Sequence, residues 1–182
     1  MRIEAILRGK NYQFETKPGL FSKAEIDGGS QLLIAHMDIG VADVVIDLGC
    51  GYGPIGLVAA SLASLGKVYM VDTDIRAVKY SRLNAELNNL HNIEVMASDG
   101  FESSSGVIFD VVVSHPPTHL PKEIILEFIE GSHRQLRDGG CLYFVTEQRV
   151  KSFIKREFLA AFGNYAEVAK GTQHVVSLAI KQ

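Results

Sequence analysis

Cysteine is scarce: Cys50 and Cys141 are the only two in 182 residues, and they form no CxxC pair. That excludes a disulfide framework and fits two unpaired packing thiols in a reducing compartment. Long apolar runs are missing too. Leu57 to Leu65, one of the longest, is interrupted by serine and falls far short of the roughly 20 residues that span a bilayer. The opening Met1-Arg2-Ile3-Glu4 has no apolar signal-peptide core, so a cytoplasmic location is expected. There is no low-complexity stretch and no excess of positive charge; the net charge of -3 argues against a uniformly basic nucleic-acid binder.

What remains is an ordinary globular composition. With 47% hydrophobic residues in 182, the chain is expected to bury one sizeable core as a single domain, residues 1–182. Short β-rich runs at Val44 to Asp47, Lys67 to Asp72, Ile93 to Ala97, Asp110 to Ser114 and Cys141 to Thr146 alternate with helical periodicity at Pro54 to Leu65, Ile75 to Asn88, Pro121 to Leu136 and Val150 to Phe162. This alternation predicts an α/β fold with an open, mainly parallel, doubly wound sheet. Pro54 suits a first helical turn, Asp74 an N-cap, and Asn88-Asn89 and Gly139-Gly140 suit helix stops. Tyr165 to Ala169 and Gln173 to Ile180, joined by Lys170-Gly171-Thr172, read as a closing antiparallel hairpin. Residues 1–43 read as a small hairpin, Ile3 to Leu7 with Tyr12 to Glu15, and a short lead-in helix capped by Asp27. Residues 44–182 read as the nucleotide-cofactor core.

VVIDLGCGYGPIG, Val44 to Gly56, is the stretch richest in chemistry. Gly51, Gly53 and Gly56 satisfy the dinucleotide pattern G-x-G-x-x-G, with Asp72 about 20 residues on. Asp47, at the strand end, argues against that reading, because a carboxylate beside the turn repels a pyrophosphate. A cationic cofactor fits better. S-adenosylmethionine carries an ammonium and a sulfonium and no phosphate, so Asp47 is expected to attract its amino-acid end while Gly49, Gly51 and Gly53 admit it closely. Asp72 is placed to accept both ribose hydroxyls, with Asp74 better suited to cap the next helix. Ser98-Asp99 follows the third core strand at the edge of the same crevice, where the adenine amino group needs an acceptor; Asp99 is the better candidate.

The order of PGLFSKAEIDGGSQLLI (Pro18 to Ile34), DLGCGYGPIG (Asp47 to Gly56), the Asp72 strand end, VMASDGF (Val95 to Phe101) and SHPPTH (Ser114 to His119) resembles the small-domain class I methyltransferases. Within them it resembles the ribosomal small-subunit RNA guanine-N2 enzymes and their single-domain archaeal relatives, over nearly the whole chain from about Phe14. The resemblance implies a Rossmann-like class I fold with seven strands, S-adenosylmethionine as cofactor, and RNA as partner. It also implies an acceptor loop, Asn-Pro-Pro followed by an aromatic or apolar residue, which here reads His115-Pro116-Pro117-Thr118. In that loop the first side chain and a backbone carbonyl accept the two N–H protons of the target amine, aimed by the stiff prolines. A neutral imidazole at His115 offers one acceptor nitrogen. Thr118 stands where relatives stack an aromatic on the target base, and Phe21 or His119 is a substitute for that stacking.

Two segments are locally basic: Met1 to Lys23, with Arg2, Arg8, Lys10, Lys17 and Lys23, and Gly131 to Arg156. They fit either a solvated surface or an RNA-facing patch, in which Lys17 and Lys23 are the substrate contacts. No metal is expected. Pro-Pro keeps His115 and His119 off one helical face, and His36, His91, His133 and His174 are scattered. Three rivals to RNA methylation stay open: a cofactor-binding RNA-associated module without transfer, a protein side-chain amide methyltransferase, and a nucleotide-dependent oxidoreductase, the last disfavoured by Asp47.

Overall fold

Strand β3, Val44–Leu48, buries both its faces: Val45 joins one apolar cluster, and Ile46 and Leu48 join another. Strand β6, Phe109–Ser114, does the same, with Val111 and Val113 on one side and Val112 on the other. A sheet covered on both faces needs such near-continuous apolar strands. The structure, a computed structural model, describes residues 1–17, 25–117 and 121–182.

The remaining elements are β1 (Arg2–Leu7), β2 (Lys10–Glu15), α1 (Gly28–His36), α2 (Pro54–Leu62), β4 (Lys67–Asp72), α3 (Ile75–Leu87), β5 (Ile93–Ala97), α4 (Lys122–Gln135), β7 (Leu136–Glu147), α5 (Lys151–Phe162), β8 (Ala166–Lys170) and β9 (His174–Ile180). Seven strands form one sheet in the order β5-β4-β3-β6-β7-β9-β8. The first five are parallel; β9 runs antiparallel to β7, and β8 antiparallel to β9. Apolar residues of α1, α2 and the β1–β2 hairpin fill one side, and those of α4 and α5 fill the other. The expected α/β class and Rossmann-like topology with its closing hairpin are present. The strand order reverses between β3 and β6, and in open α/β sheets ligands bind at the carboxyl ends of strands flanking such a switch.

The hairpin is tied down by α3. Asn84 accepts from the Glu15 N–H (2.7 Å) and donates to the Glu15 carbonyl (3.0 Å), while Asn88 does the same for Gln13 (3.0 and 2.7 Å). The two amides act as a neighbouring strand for the outer edge of β2. Asn88 is also the C-cap of α3, as its sequence position suggests.

Gly139-Gly140 does not stop α4. That helix ends at Gln135, and β7 starts at Leu136 and runs through both glycines. The register with β6 shifts there, and Gly139 has a φ of +77°. A glycine in a strand marks an irregularity of this kind as readily as a helix end. α2 ends at Leu62, three residues before the expected Leu65. No described helix is long and apolar enough to cross a membrane.

Candidate functional site

Chain leaving β3 turns sharply to enter α2. Gly49 and Gly51 take left-handed φ values of +71° and +59°, which a side chain adopts only with strain. The turn is fastened to the end of β4: the Gly49 and Cys50 N–H groups both donate to the Val71 carbonyl (2.9 and 3.0 Å), and Gly51 N–H donates to Asp72 Oδ2 (2.9 Å). Asp72 Oδ1 accepts from the Asp74 N–H (2.8 Å). Each Asp72 oxygen retains a further lone pair for a ligand hydroxyl.

Above this turn lies a cavity of about 470 Å³, within the ~300–1,000 Å³ typical of small-molecule sites. Ends of β3, β4, β5 and β6 contribute Gly49, Gly51, Asp72, Asp99 and His115 to it, and α4 adds Ile124 and Phe128 as an apolar wall. Four carboxyl residues line it, Asp27, Asp72, Asp74 and Asp99, and among the described residues no lysine or arginine does. Such a chamber suits a ligand with a cationic part, hydroxyls and a flat ring, and repels a pyrophosphate.

Asp47 is not part of that lining. It is 1% exposed, behind the turn, where one carboxyl oxygen accepts from the Gly56 N–H (2.9 Å) in the first turn of α2 and the other has no partner among the described residues. Burial pushes its carboxyl up to about 7, against the lowering by Gly56, and the charge of Asp72 adds to the rise. The sequence reading of Asp47 as the charge facing the ligand therefore passes to the four aspartates that line the cavity. Gly53 also lies outside the lining; it is the left-handed N-cap of α2, packed where a Cβ would meet Leu57 and Met70.

Gly49, Gly51, Asp72, Ser98, Asp99, His115 and Pro117 all border the chamber. Ser98 is committed to its own loop, donating to the Gly100 carbonyl (3.0 Å) and accepting from the Ser103 N–H (3.0 Å), whereas the Asp99 carboxyl lines the chamber beside it. Pro116 is buried and is not in the lining. Lys17 is exposed and away from the cavity. Phe21, Lys23, Thr118 and His119 lie outside the described residues.

Several side chains of the two basic segments are already engaged. Arg2 pairs with Glu15, Arg137 with Asp110, Arg149 with Glu147, Lys151 with Glu167 and Arg156 with Glu157, and Arg8 donates to the Ile34 and Met37 carbonyls. These pairings favour the surface-charge reading of those side chains. Burial raises the Cys50 thiol well above its ordinary value, with Asp47 adding to the rise, and burial raises that of Cys141.

Sequence reasoning missed the role of α1. Asp27 caps that helix through its Gly29 and Ser30 N–H groups, as expected, but its Oδ2 also lies 3.4 Å from His115 Nδ1, and Ser30 Oγ lies 3.1 Å from the same nitrogen. Burial opposes the Asp27 charge, yet the His115 contact, with Ser30 and Gly29, overcomes it and holds the carboxyl at about 2. His174, at the start of β9, packs edge-on against His115 with ring centres 5.6 Å apart; burial and then the neighbouring His115 lower its pKa. The spacing of Asp27 and Ser30 across two glycines in DGGS was the one signal available.

The family described as methyltransferase small domain matches residues 11–177. A Bacillus subtilis protein, YbxB, described only as uncharacterized, is 37% identical over 145 residues, covering 79% of this chain and 72% of its own. A T. thermophilus 16S rRNA N2 G1207 methyltransferase, solved with AdoMet and guanosine, has a TM-score of 0.89 at 26% identity; the match takes in 100% of this chain but half of that one. A ribosomal protein L11 methylase from Lactobacillus delbrueckii shares the fold, with a TM-score of 0.70 at 20% identity over 91% of this chain and 84% of its own.

Proposed function

The chain belongs to the methyltransferase small domain family and is an S-adenosylmethionine-dependent methyltransferase; from that premise we propose that it methylates the exocyclic N2 of a guanine in RNA, with ribosomal RNA as the substrate class. The observation that carries the reading is that His115 and Pro117 of the acceptor loop border the same chamber as Gly49, Gly51 and Asp72. The likeness to a solved N2 guanine enzyme holding guanosine extends over the whole chain and supports the same acceptor.

The cofactor, when bound, supplies an electrophilic methyl on a sulfonium. Gly49 and Gly51 would admit its methionine end, Asp72 would accept from the ribose hydroxyls, and Asp99 from the adenine amino group, with Ile124 and Phe128 against the ring. His115 takes the place of the motif's asparagine. A ring proton on Nδ1, directed at Asp27, leaves the lone pair on Nε2, the tautomer that accepts a hydrogen bond from the target amine. The carbonyl of the rigid Pro-Pro segment accepts the second N–H. Two aligned acceptors draw the nitrogen lone pair out of the purine ring and toward the methyl group.

The test is transfer of labelled methyl from S-adenosylmethionine to unmodified small-subunit RNA, with the nucleosides identified after digestion. N2-methylguanosine is the expected product. Label on a protein amide instead would replace the RNA reading with the protein one. Intact binding of S-adenosylhomocysteine without transfer to any RNA would leave a cofactor-binding module.

A further inference from the structure

We propose that Asp27, His115 and His174 form a site for one divalent transition-metal ion, at the wall where α1, the end of β6 and the start of β9 meet. One ligand atom from each of the three lies within 4.8 Å of the other two. Two imidazoles and a carboxylate are the mixed nitrogen and oxygen set that suits Zn(II), Co(II) or Fe(II), and not Mg(II) or Ca(II). A tetrahedral ion with ligand bonds near 2.1 Å needs its ligand atoms about 3.4 Å apart. The Asp27 Oδ2 to His115 Nδ1 separation is already 3.4 Å, so a rotation of the His174 ring toward them completes the set.

Gly29 makes room for it. A Cβ on that residue would fall 2.7 Å from His115 Cε1 and 2.9 Å from His174 Cδ2, distances no real side chain adopts, so the bare backbone is what lets both rings sit over the start of α1. The ion would hold His115 by Nδ1, the nitrogen facing Asp27. That moves the ring proton to Nε2 and turns the acceptor into a donor. A loaded site and the acceptor role assigned to His115 under the proposed function therefore exclude each other, which makes the metal an inhibitor of transfer.

Binding is tested without transfer, so the outcome does not depend on the substrate reading. The full chain, stripped with chelator, is titrated with Co(II), following visible d–d absorption and calorimetry. One equivalent per chain, displaced by Zn(II), is expected. His174→Gln should weaken Co(II) binding at least about tenfold while leaving S-adenosylhomocysteine affinity unchanged, because His174 does not border the cofactor chamber. Asp27→Asn is the second variant: it keeps the cap on α1, removes the charge, and should weaken Co(II) to a similar degree. No d–d band in the wild type, or equal Co(II) affinity in the wild type and both variants, overturns the site.

Discussion

Asp72 Oδ2 accepts a hydrogen bond from the Gly51 N–H at 2.9 Å, so the carboxylate that ends β4 also fixes the glycine turn after β3. One side chain thus shapes the chamber and offers it lone pairs. Asp72→Ala should weaken S-adenosylhomocysteine binding by about 1.5–3 kcal/mol, the scale of a charge-assisted hydrogen bond, as read by calorimetry. NAD and NADP should not bind the wild type. Tight NAD binding with none for S-adenosylhomocysteine would reverse the reading of the four lining aspartates.

Asn84 links three parts of the chain that only the fold brings together. It is fully buried, pairs with both backbone groups of Glu15 and donates to the Tyr52 carbonyl in the glycine turn (2.8 Å). Asn84→Ala leaves those backbone groups without partners, at a cost of about 2–4 kcal/mol. Urea unfolding should report the loss as a lower midpoint with an unchanged slope. A loss below about 0.5 kcal/mol would mean that water replaces the amide.

The fold was legible wherever burial imposes a pattern. Strands covered on both faces must be continuously apolar, so β3, β4 and β6 announce themselves, and the spacing from the glycine turn to Asp72 follows from one βαβ unit. Gly139-Gly140 misled because glycine serves a helix stop and a strand irregularity equally well. Asp47 misled for a related reason: its carboxyl turns under the first turn of α2 toward the Gly56 N–H, and nothing in the motif distinguishes a charge in the chamber from one buried behind it. The Asp27, His115 and His174 cluster was hidden because its members are far apart in sequence. They meet because β9 returns antiparallel beside β7, pairing His174 with Glu147, which carries the start of β9 to the edge of the sheet where β6 ends.

Asp47 should leave a signature in the pH dependence of stability. Its carboxyl sits at about 7 in the folded chain against an ordinary 3.8, so the folded state holds this proton more tightly than the unfolded state. The stabilising contribution is complete below about pH 4 and declines as pH rises to about 7, by up to about 1.4 kcal/mol per unit. Asp47→Asn keeps the shape and abolishes that decline. The stability difference between variant and wild type, measured by urea unfolding from pH 4 to 8, should therefore shift in favour of the variant as pH rises. A constant difference across the range would show that Asp47 ionises normally in the fold.

His115 decides whether this chain transfers methyl groups by the proposed route. If its Nε2 is an acceptor for the target amine, His115→Ala removes a preorganised hydrogen-bond partner of the reacting group, and such partners are worth about 10²–10³-fold in rate. Transfer to RNA under single-turnover conditions should fall by that factor in the metal-free protein, while S-adenosylhomocysteine affinity changes only a few-fold, since Asp72 and the glycine turn are untouched. His115→Asn restores an amide oxygen as acceptor and should recover much of the lost rate. The two variants together separate chemistry from packing, because both lose the contacts with Asp27, Ser30 and His174, yet only the asparagine puts an acceptor back. Equal rates in wild type and His115→Ala would move the acceptor site away from the loop after β6.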